Sequence, residues 1–399
     1  MSYKKKLNIL ISSSIFPNKK EVTKGIYIFH QVKALSKYCN VKVVASVPYF
    51  PGWIKSKKYD FYPKLPKKEI IDGLEVLHPR VSVIPKFGRS VYGFLYALCL
   101  YQPMKRLKRS FQPDIIICYW AYPDGFANVL LANILKIPII LGGRGCDIND
   151  ISDYRSKKLM VSWALKASDR VMAVSNAMKR EMIKLGIPEE KIKVIPNGLD
   201  NIFKSLDKKD ARRLINLQPE NKEQKIILYC GRFGPEKGLE YLIKAVKILY
   251  DRNVSFRLIL VGDGQQKDQI KKLVISSGLA KRVQFKEEMP YDKMPALMNS
   301  SDIFCLPSIR EGWPNVVMEA LGCGIPVVAS EVGGVPEILT SPEYGIMVPK
   351  QNYEELANAL MMAIKKPWNH NKIRSAVRNR TWDNVAQEIY SEINFVLGK

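Results

Sequence analysis

Short apolar runs recur along the chain with helix-length intervals between them: Leu7 to Ser12, Val41 to Val47, Asp114 to Cys118, Ile137 to Leu141, Arg170 to Val174 and Lys191 to Ile195. Strand-like runs separated by amphipathic stretches predict βαβ units and a parallel sheet. The pattern restarts with Ile226 to Cys230, Phe256 to Val261, Val283 to Lys286, Ile303 to Leu306 and Pro326 to Ala329, which predicts a second sheet. Between the two series, Pro196 to Asp210 opens with Pro-Asn-Gly and then turns charged, as a linker does. The expected fold class is therefore α/β, with two Rossmann-like parallel-sheet domains facing a cleft ringed by the loops at the strands' C-terminal ends. A length of 399 residues agrees, since it exceeds what one core usually supports. The expected bounds are 1–196 for the first domain, 197–210 for the hinge and 211–375 for the second domain, with 376–399 as a last helix.

One helix has an unusual pattern. From Ser308 the chain reads S-I-R-E-G-W-P-N-V-V-M-E-A, and L-G-C-G follows. Pro314 suits a first helical position and Gly322 or Gly324 suits the end. Between them the strongly polar side chains are Asn315 and Glu319, so the helix is apolar on every face and belongs in a core. A lone ionised glutamate there is costly without a partner. At roughly 1.5 Å per residue, Glu319 lies about 7 to 8 Å below the helix start, while Glu311 sits in the loop before it. The first-turn N–H groups between them make an anion site flanked by two hydrogen-bond acceptors. A nucleotide-sugar has that layout, with hydroxyls on either side of a diphosphate. The competing reading is a plain loop glutamate and a solvated helical one.

Two further loops bear on this. The run I-I-L-Y-C leads into Gly231-Arg232-Phe-Gly-Pro-Glu-Lys237-Gly, two cations on a strand-end loop, which suits a diphosphate leaving group or simply solvent. Gly262 and Gly264 in V-G-D-G, and V-G-G-V-P-E from Val332 to Glu337, permit close backbone approach to a ligand or tight turns. The chain has neither G-x-x-x-x-G-K-S/T nor G-x-G-x-x-G, so ATPase and dinucleotide readings lose their support. An Asp-x-Asp pair is absent too, so no metal or other cofactor is expected, with protein cations in place of a divalent ion.

Composition narrows the picture. No apolar run reaches the roughly 18 to 20 residues of a membrane span. The opening M-S-Y-K-K-K-L-N-I-L-I-S-S-S-I-F has a short apolar core and no small-residue cleavage site, so Leu7 to Ser12 reads as a first strand and not as a signal peptide. Seven cysteines without a C-x-x-C pair suggest reduced core thiols of a cytoplasmic protein, and three histidines argue against a His-built metal site. The net charge is +25, and Met1 to Ser110 holds roughly 22 Lys plus Arg against 5 Asp plus Glu. Such an excess points to a polyanion, either nucleic acid or an anionic membrane surface. Val91 to Ser110 sets an aromatic-aliphatic block beside a basic cluster, as an interfacial helix does, although a core helix with a solvated end fits equally. No recognisable nucleic-acid module accompanies the charge, so no nucleic-acid partner is expected.

In order along the chain, F-P-N-K-K-E-V-T-K-G, V-I-P-N-G-L-D, G-R-F-G-P-E-K-G-L, L-V-G-D-G and P-S-I-R-E-G-W-P-N-V-V-M-E-A-L-G-C-G-I-P-V-V-A-S resemble the retaining glycosyltransferases of the GT-B class called family 4. The resemblance covers nearly the whole chain. It implies transfer of a hexose from a UDP- or GDP-sugar to a glycan or lipid-linked glycan acceptor, at the inner face of the cell membrane, in surface polysaccharide biosynthesis. It implies Glu311 on the donor sugar, Glu319 on the ribose, and Arg232 and Lys237 on the diphosphate. Gly312, Trp313, Pro314, Asn315 and Val316 would line sugar and phosphate, and Gly25 would close over the phosphates. Asn197, Gly231, Gly262 and Gly264 fall within the matching motifs. T-W-D-N-V-A-Q-E-I-Y resembles the family's last helix, which commonly returns to the first domain. One departure is the lack of a histidine in Cys118 to Gly125, where many members carry one. The W-x-Y-P-D-G form there, and G-G-R-G-C-D from Gly142 to Asp147, resemble a bacterial surface-polysaccharide subgroup, which makes Asp124, Arg144 and Asp147 candidates on the acceptor side. Either aspartate could equally be a helix N-cap. A nucleotide-sugar epimerase on a similar scaffold is the alternative enzyme.

Overall fold

Apolar runs buried on both faces, such as Ile115–Tyr119, Ile139–Gly142, Ile303–Leu306 and Val327–Ser330, form the interior of the two sheets, as parallel strands covered by helices require. The computed structural model describes residues 6–49, 61–82, 91–149, 155–217, 221 and 223–399. Part of the basic first quarter, residues 1–5, 50–60 and 83–90, lies outside the described residues.

The first half of the chain supplies β1 (Asn8–Ser12), β2 (Asn40–Val44), β3 (Val47–Tyr49), β4 (Lys68–Ile71), β5 (Leu74–Leu77), β6 (Arg80–Ser82), β7 (Ile115–Tyr119), β8 (Ile139–Gly142), β9 (Arg170–Ala173) and β10 (Ile192–Val194). Eight of them form one sheet in the order β10-β9-β8-β7-β1-β2-β5-β4, parallel except for the edge strand β4. β3 and β6 pair as a separate ribbon. The second half supplies β11 (Lys225–Cys230), β12 (Phe256–Val261), β13 (Val283–Lys286), β14 (Ile303–Leu306), β15 (Val327–Ser330) and β16 (Gly345–Val348). They form a parallel sheet in the order β13-β12-β11-β14-β15-β16.

The chain divides into residues 1–198 with 382–399, and residues 199–381. The second unit is thus inserted between the body of the first and its last helix. That helix, Trp382–Val396, buries Trp382, Val385, Ala386, Ile389 and Ile393 in the first unit's core, beside Val32 and Leu35 of the Ile26–Leu35 helix. Arg170 Nε donates to Glu392 Oε2 at 2.6 Å on the same helix. The segment expected to be a linker is exposed over much of its length and anchored at two points. Phe203 is buried in the second unit's core, and Leu199 N donates to Arg380 O at 2.7 Å, so the outgoing and returning strands lie side by side.

Candidate active site

In the second sheet β11 lies between β12 and β14, so strand order reverses at the β11–β14 junction. Open parallel sheets bind ligands beyond the strand C-termini at such a reversal. Lys237, on the loop after β11, and Glu311, on the loop after β14, meet there with Nζ 2.7 Å from Oε1. Ser308 Oγ donates to the same oxygen at 2.7 Å. The pair is largely shielded, with side-chain exposures of 21% and 9%. Backbone bonds lock the loops around it: Ile309 N donates to Glu236 O at 2.8 Å, and Gly334 N, from the loop after β15, donates to Gly312 O at 3.0 Å.

Pro314 flanks the Asn315–Gly322 helix, whose start has no side-chain cap. Gly312 and Trp313 precede it, and the Trp313 indole N–H is buried with no hydrogen-bond partner among the described residues. Asn315 and Val316 open the first turn, and Val317 to Gly322 are buried, Glu319 included. The Glu319 charge contributes, after burial, to raising the Cys230 thiol at the end of β11 and the Tyr291 hydroxyl. Glu319 sits on the helix that packs against β14 and β15. Arg232, on the same loop as Lys237, is mostly exposed, and its guanidinium donates to Glu236 Oε1 at 2.6 Å.

The glycines of this region have a structural task. Gly231 N donates to Val261 O at 3.1 Å, and a Cβ on Gly262 (φ +136) would stand 2.1 Å from Gly231 O. Gly264 meets the Phe233 backbone in the same way. The close approach is between the two loops themselves.

The first sheet repeats this arrangement, its order reversing between β1 and β7. Ser14 after β1 and Asp124 after β7 meet there, with Ser14 N donating to Oδ1 at 2.5 Å and Ser14 Oγ to Oδ2 at 2.8 Å. Tyr96 OH donates to Oδ1 at 3.0 Å and also contacts Ser46 Oγ. Asp147 accepts from the backbone N–H groups of Ala121, Arg144 and Gly145 at 2.8 to 2.9 Å. Asp124 and Asp147 were candidates to face an acceptor; both are instead buried and turned inward, where they order loops. Arg144 lies over the Tyr119 ring at 4.1 Å and donates to Asn197 Oδ1 at 2.8 Å and to Gln31 Oε1. Gly25, in a left-handed conformation, starts the Ile26–Leu35 helix. Ser14, Gln31, Tyr96 and Ser308 escaped the sequence reading. The Ser12–Ser14 run at the end of a buried strand was the one signal available.

Burial pushes the Asp124 carboxyl up to about 6, against hydrogen bonds from Ser14 and Tyr96 that favour the ionised form. An unfolded aspartate titrates near 3.9. The protonated form is thus favoured in the fold, so this contribution is full below about pH 4 and is lost as pH rises through about 6. Its size is about 3 kcal/mol. In urea titrations from pH 4 to 7, the stability of wild type relative to Asp124→Asn should fall by an amount of this order. A difference independent of pH would show that Asp124 titrates normally.

Among the described residues no group of three or more His, Cys, Asp or Glu is placed to hold a metal, and no helix is long and apolar enough to cross a membrane.

Two family models match the chain: Glycosyltransferase Family 4 over residues 25–201 and Glycosyl transferases group 1 over residues 210–380. A Bacillus subtilis protein named for teichuronic acid biosynthesis as the glycosyltransferase TuaC is 28% identical over 398 residues, covering 97% of this chain and 94% of its own. Among solved structures, sucrose-phosphate synthase from Thermosynechococcus elongatus superposes with a TM-score of 0.79 at 19% identity, over 98% of this chain and 99% of that one. Anabaena HepE in complex with UDP and glucose superposes with a TM-score of 0.72 at 20% identity, over 97% and 99%.

Proposed function

The chain is a glycosyltransferase of the GT-B, family 4 type, and on that premise we propose that it moves a hexose from a UDP- or GDP-sugar to a hydroxyl of a glycan or lipid-linked glycan, with retention of configuration, in surface polysaccharide biosynthesis. The observation that carries this reading is the shielded Lys237–Glu311 pair at the sheet's reversal point. An arriving diphosphate competes for the Lys237 ammonium, and Glu311, released from it, accepts hydrogen bonds from sugar hydroxyls. Glu319 receives the ribose. Lys237, Arg232 and the uncapped helix start supply the positive charge that a metal supplies elsewhere, so the reaction is metal-independent. The names of TuaC and of the UDP complex of HepE support the pathway and the donor class. The test is transfer from UDP- and GDP-hexoses to glycan acceptors, with the product's anomeric configuration read by proton NMR. An inverted product would overturn retention.

Glu319→Ala should weaken the cognate free nucleotide by about 10- to 100-fold, the loss expected for one hydrogen bond to a charged acceptor. Calorimetry with UDP and GDP measures it. Equal affinity in a folded variant would remove Glu319 from the site.

The acceptor side is proposed to work at an anionic membrane surface. Val91, Phe94 and Leu98 at the start of the Tyr92–Ser110 helix are exposed, as are Leu159 and Trp163 of the Arg155–Ala167 helix. Phe126 bridges the two ridges, 4.8 Å from the Phe94 ring and 5.2 Å from that of Trp163. Neither helix contains an acidic residue, and together they carry Lys105, Arg106, Lys108, Arg109, Arg155, Lys157, Lys158 and Lys166. At about 1 kcal/mol per basic residue, replacing Lys105, Arg106 and Arg109 by Gln should weaken binding to phosphatidylserine vesicles by about 3 kcal/mol at low salt, and by less at high salt. Wild type that ignores such vesicles would refute the membrane role.

A further inference from the structure

A cavity of about 300 Å³ opens in the 199–381 unit, where Gly322 ends the helix that Asn315 begins. Eight residues at about 1.5 Å each put it about 12 Å along that helix from the end nearest Glu311. Its wall carries Arg374, in the His370–Ser375 helix, and Arg378, in the turn after it, with Ser375 between them in sequence and Thr381 beside them. Asp200 and Asn371 complete the polar lining. Arg374 is half-buried, with its stem against Gly324 and its charge felt by the Cys323 thiol. Among the described residues no ion pair or hydrogen bond holds either guanidinium. Shielding a cation without an anionic partner is unfavourable, so half-buried Arg374, with exposed Arg378 beside it, is poised for an anion from outside.

We propose that this cavity binds a phosphorylated monosaccharide, at a site separate from the Lys237–Glu311 pair. Two guanidiniums lining one cavity suit a phosphate, since each presents a planar fork of donors to its oxygens. The volume exceeds that of a lone oxyanion and stands at the lower end of the range for small-molecule sites. Asp200 distinguishes a sugar phosphate from inorganic phosphate. Its carboxylate repels a bare anion but accepts hydrogen bonds from hydroxyls, and one of its oxygens already holds Ile202 N at 3.1 Å. The site flanks the paired segments at Leu199 and Thr381, so a ligand there bears directly on both chain passages of this unit.

The experiment is calorimetry on the full chain with glucose 6-phosphate and with inorganic phosphate. Glucose 6-phosphate should bind wild type about 10-fold more tightly than phosphate. Arg374→Gln and Arg378→Gln should each cost about 10-fold, and both together about 100-fold, with unchanged melting temperatures. Asp200→Asn should weaken glucose 6-phosphate and leave phosphate unaffected or tighter. Lys237→Ala should leave both unchanged, which separates this site from the proposed donor site whatever that site binds. Wild type that binds neither probe, binding undiminished in the double variant, or a loss that follows Lys237 would each overturn the site. The arginines would then merely complement the helix C-terminus. Equal affinity for the two probes would overturn the sugar assignment.

Discussion

Lys237→Ala should lower kcat by about 100- to 1,000-fold, the loss of roughly 3 to 4 kcal/mol seen when one preorganised electrostatic group is taken from a developing charge. In the proposed reaction that charge grows on the departing diphosphate, and Lys237 is the shielded cation at the point where β11 and β14 part. Arg232→Ala should cost much less, because its side chain is mostly exposed and already turned to Glu236. Lys237→Ala also strands the Glu311 carboxylate without its cation, so some loss of stability is expected alongside. The double change Lys237→Met with Glu311→Gln separates the two effects. Removing both charges should restore the melting temperature while leaving turnover low. Single-turnover kinetics on the three variants measure this. Near-normal rates for Lys237→Ala would reject its role in leaving-group departure.

Deleting residues 382–399 should unfold the first unit while the second keeps its structure. The deleted helix buries Trp382, Val385, Ile389 and Ile393, and each large apolar side chain contributes about 1.5 to 3 kcal/mol. The sum, roughly 6 to 12 kcal/mol, is comparable to the whole stability of a typical domain. A milder version is Ile389→Ala, expected to cost about 2 to 5 kcal/mol in the first unit alone. Hydrogen exchange resolved by peptide distinguishes the units: protection should vanish in β1, β7 and β8 and persist in β11, β12 and β14. Protection surviving in β1 would mean that the helix is dispensable for that sheet.

The parallel strands were the most legible part of the fold. β12, β13 and β14 begin and end where the expected runs do; in β14 every residue is buried, as in a strand covered on both faces, while edge strand β13 still carries Gln284 and Lys286. The β4–β5 hairpin was missed, since β4 alternates exposed and buried residues at a sheet edge. Its turn was nonetheless written in Ile71-Asp72-Gly73-Leu74, where Asp72 and Gly73 take positive φ. In the candidate site, Glu311 and Glu319 stood out as carboxylates in apolar company. Lys237 was visible too, but its partnership with Glu311 spans 74 residues and follows from which strands are neighbours. The same holds for Asp124. Its partner Ser14 lies 110 residues earlier, and the contact exists because β1 lies next to β7. Sequence spacing within a motif shows which residues share a loop and is silent about which loops meet.

The insertion of one unit inside the other fixes an order of events during synthesis. Residues 199–381 form an uninterrupted stretch whose core is complete once it has left the ribosome. The earlier-made residues 1–198 still lack the helix that covers Val32 and Leu35. At about 5 to 20 residues per second, the wait from Gly198 to Trp382 is on the order of 10 to 40 seconds. During it, an apolar strip of the first unit stays open to solvent and to chaperones. The half of the protein translated first is therefore the half that finishes last.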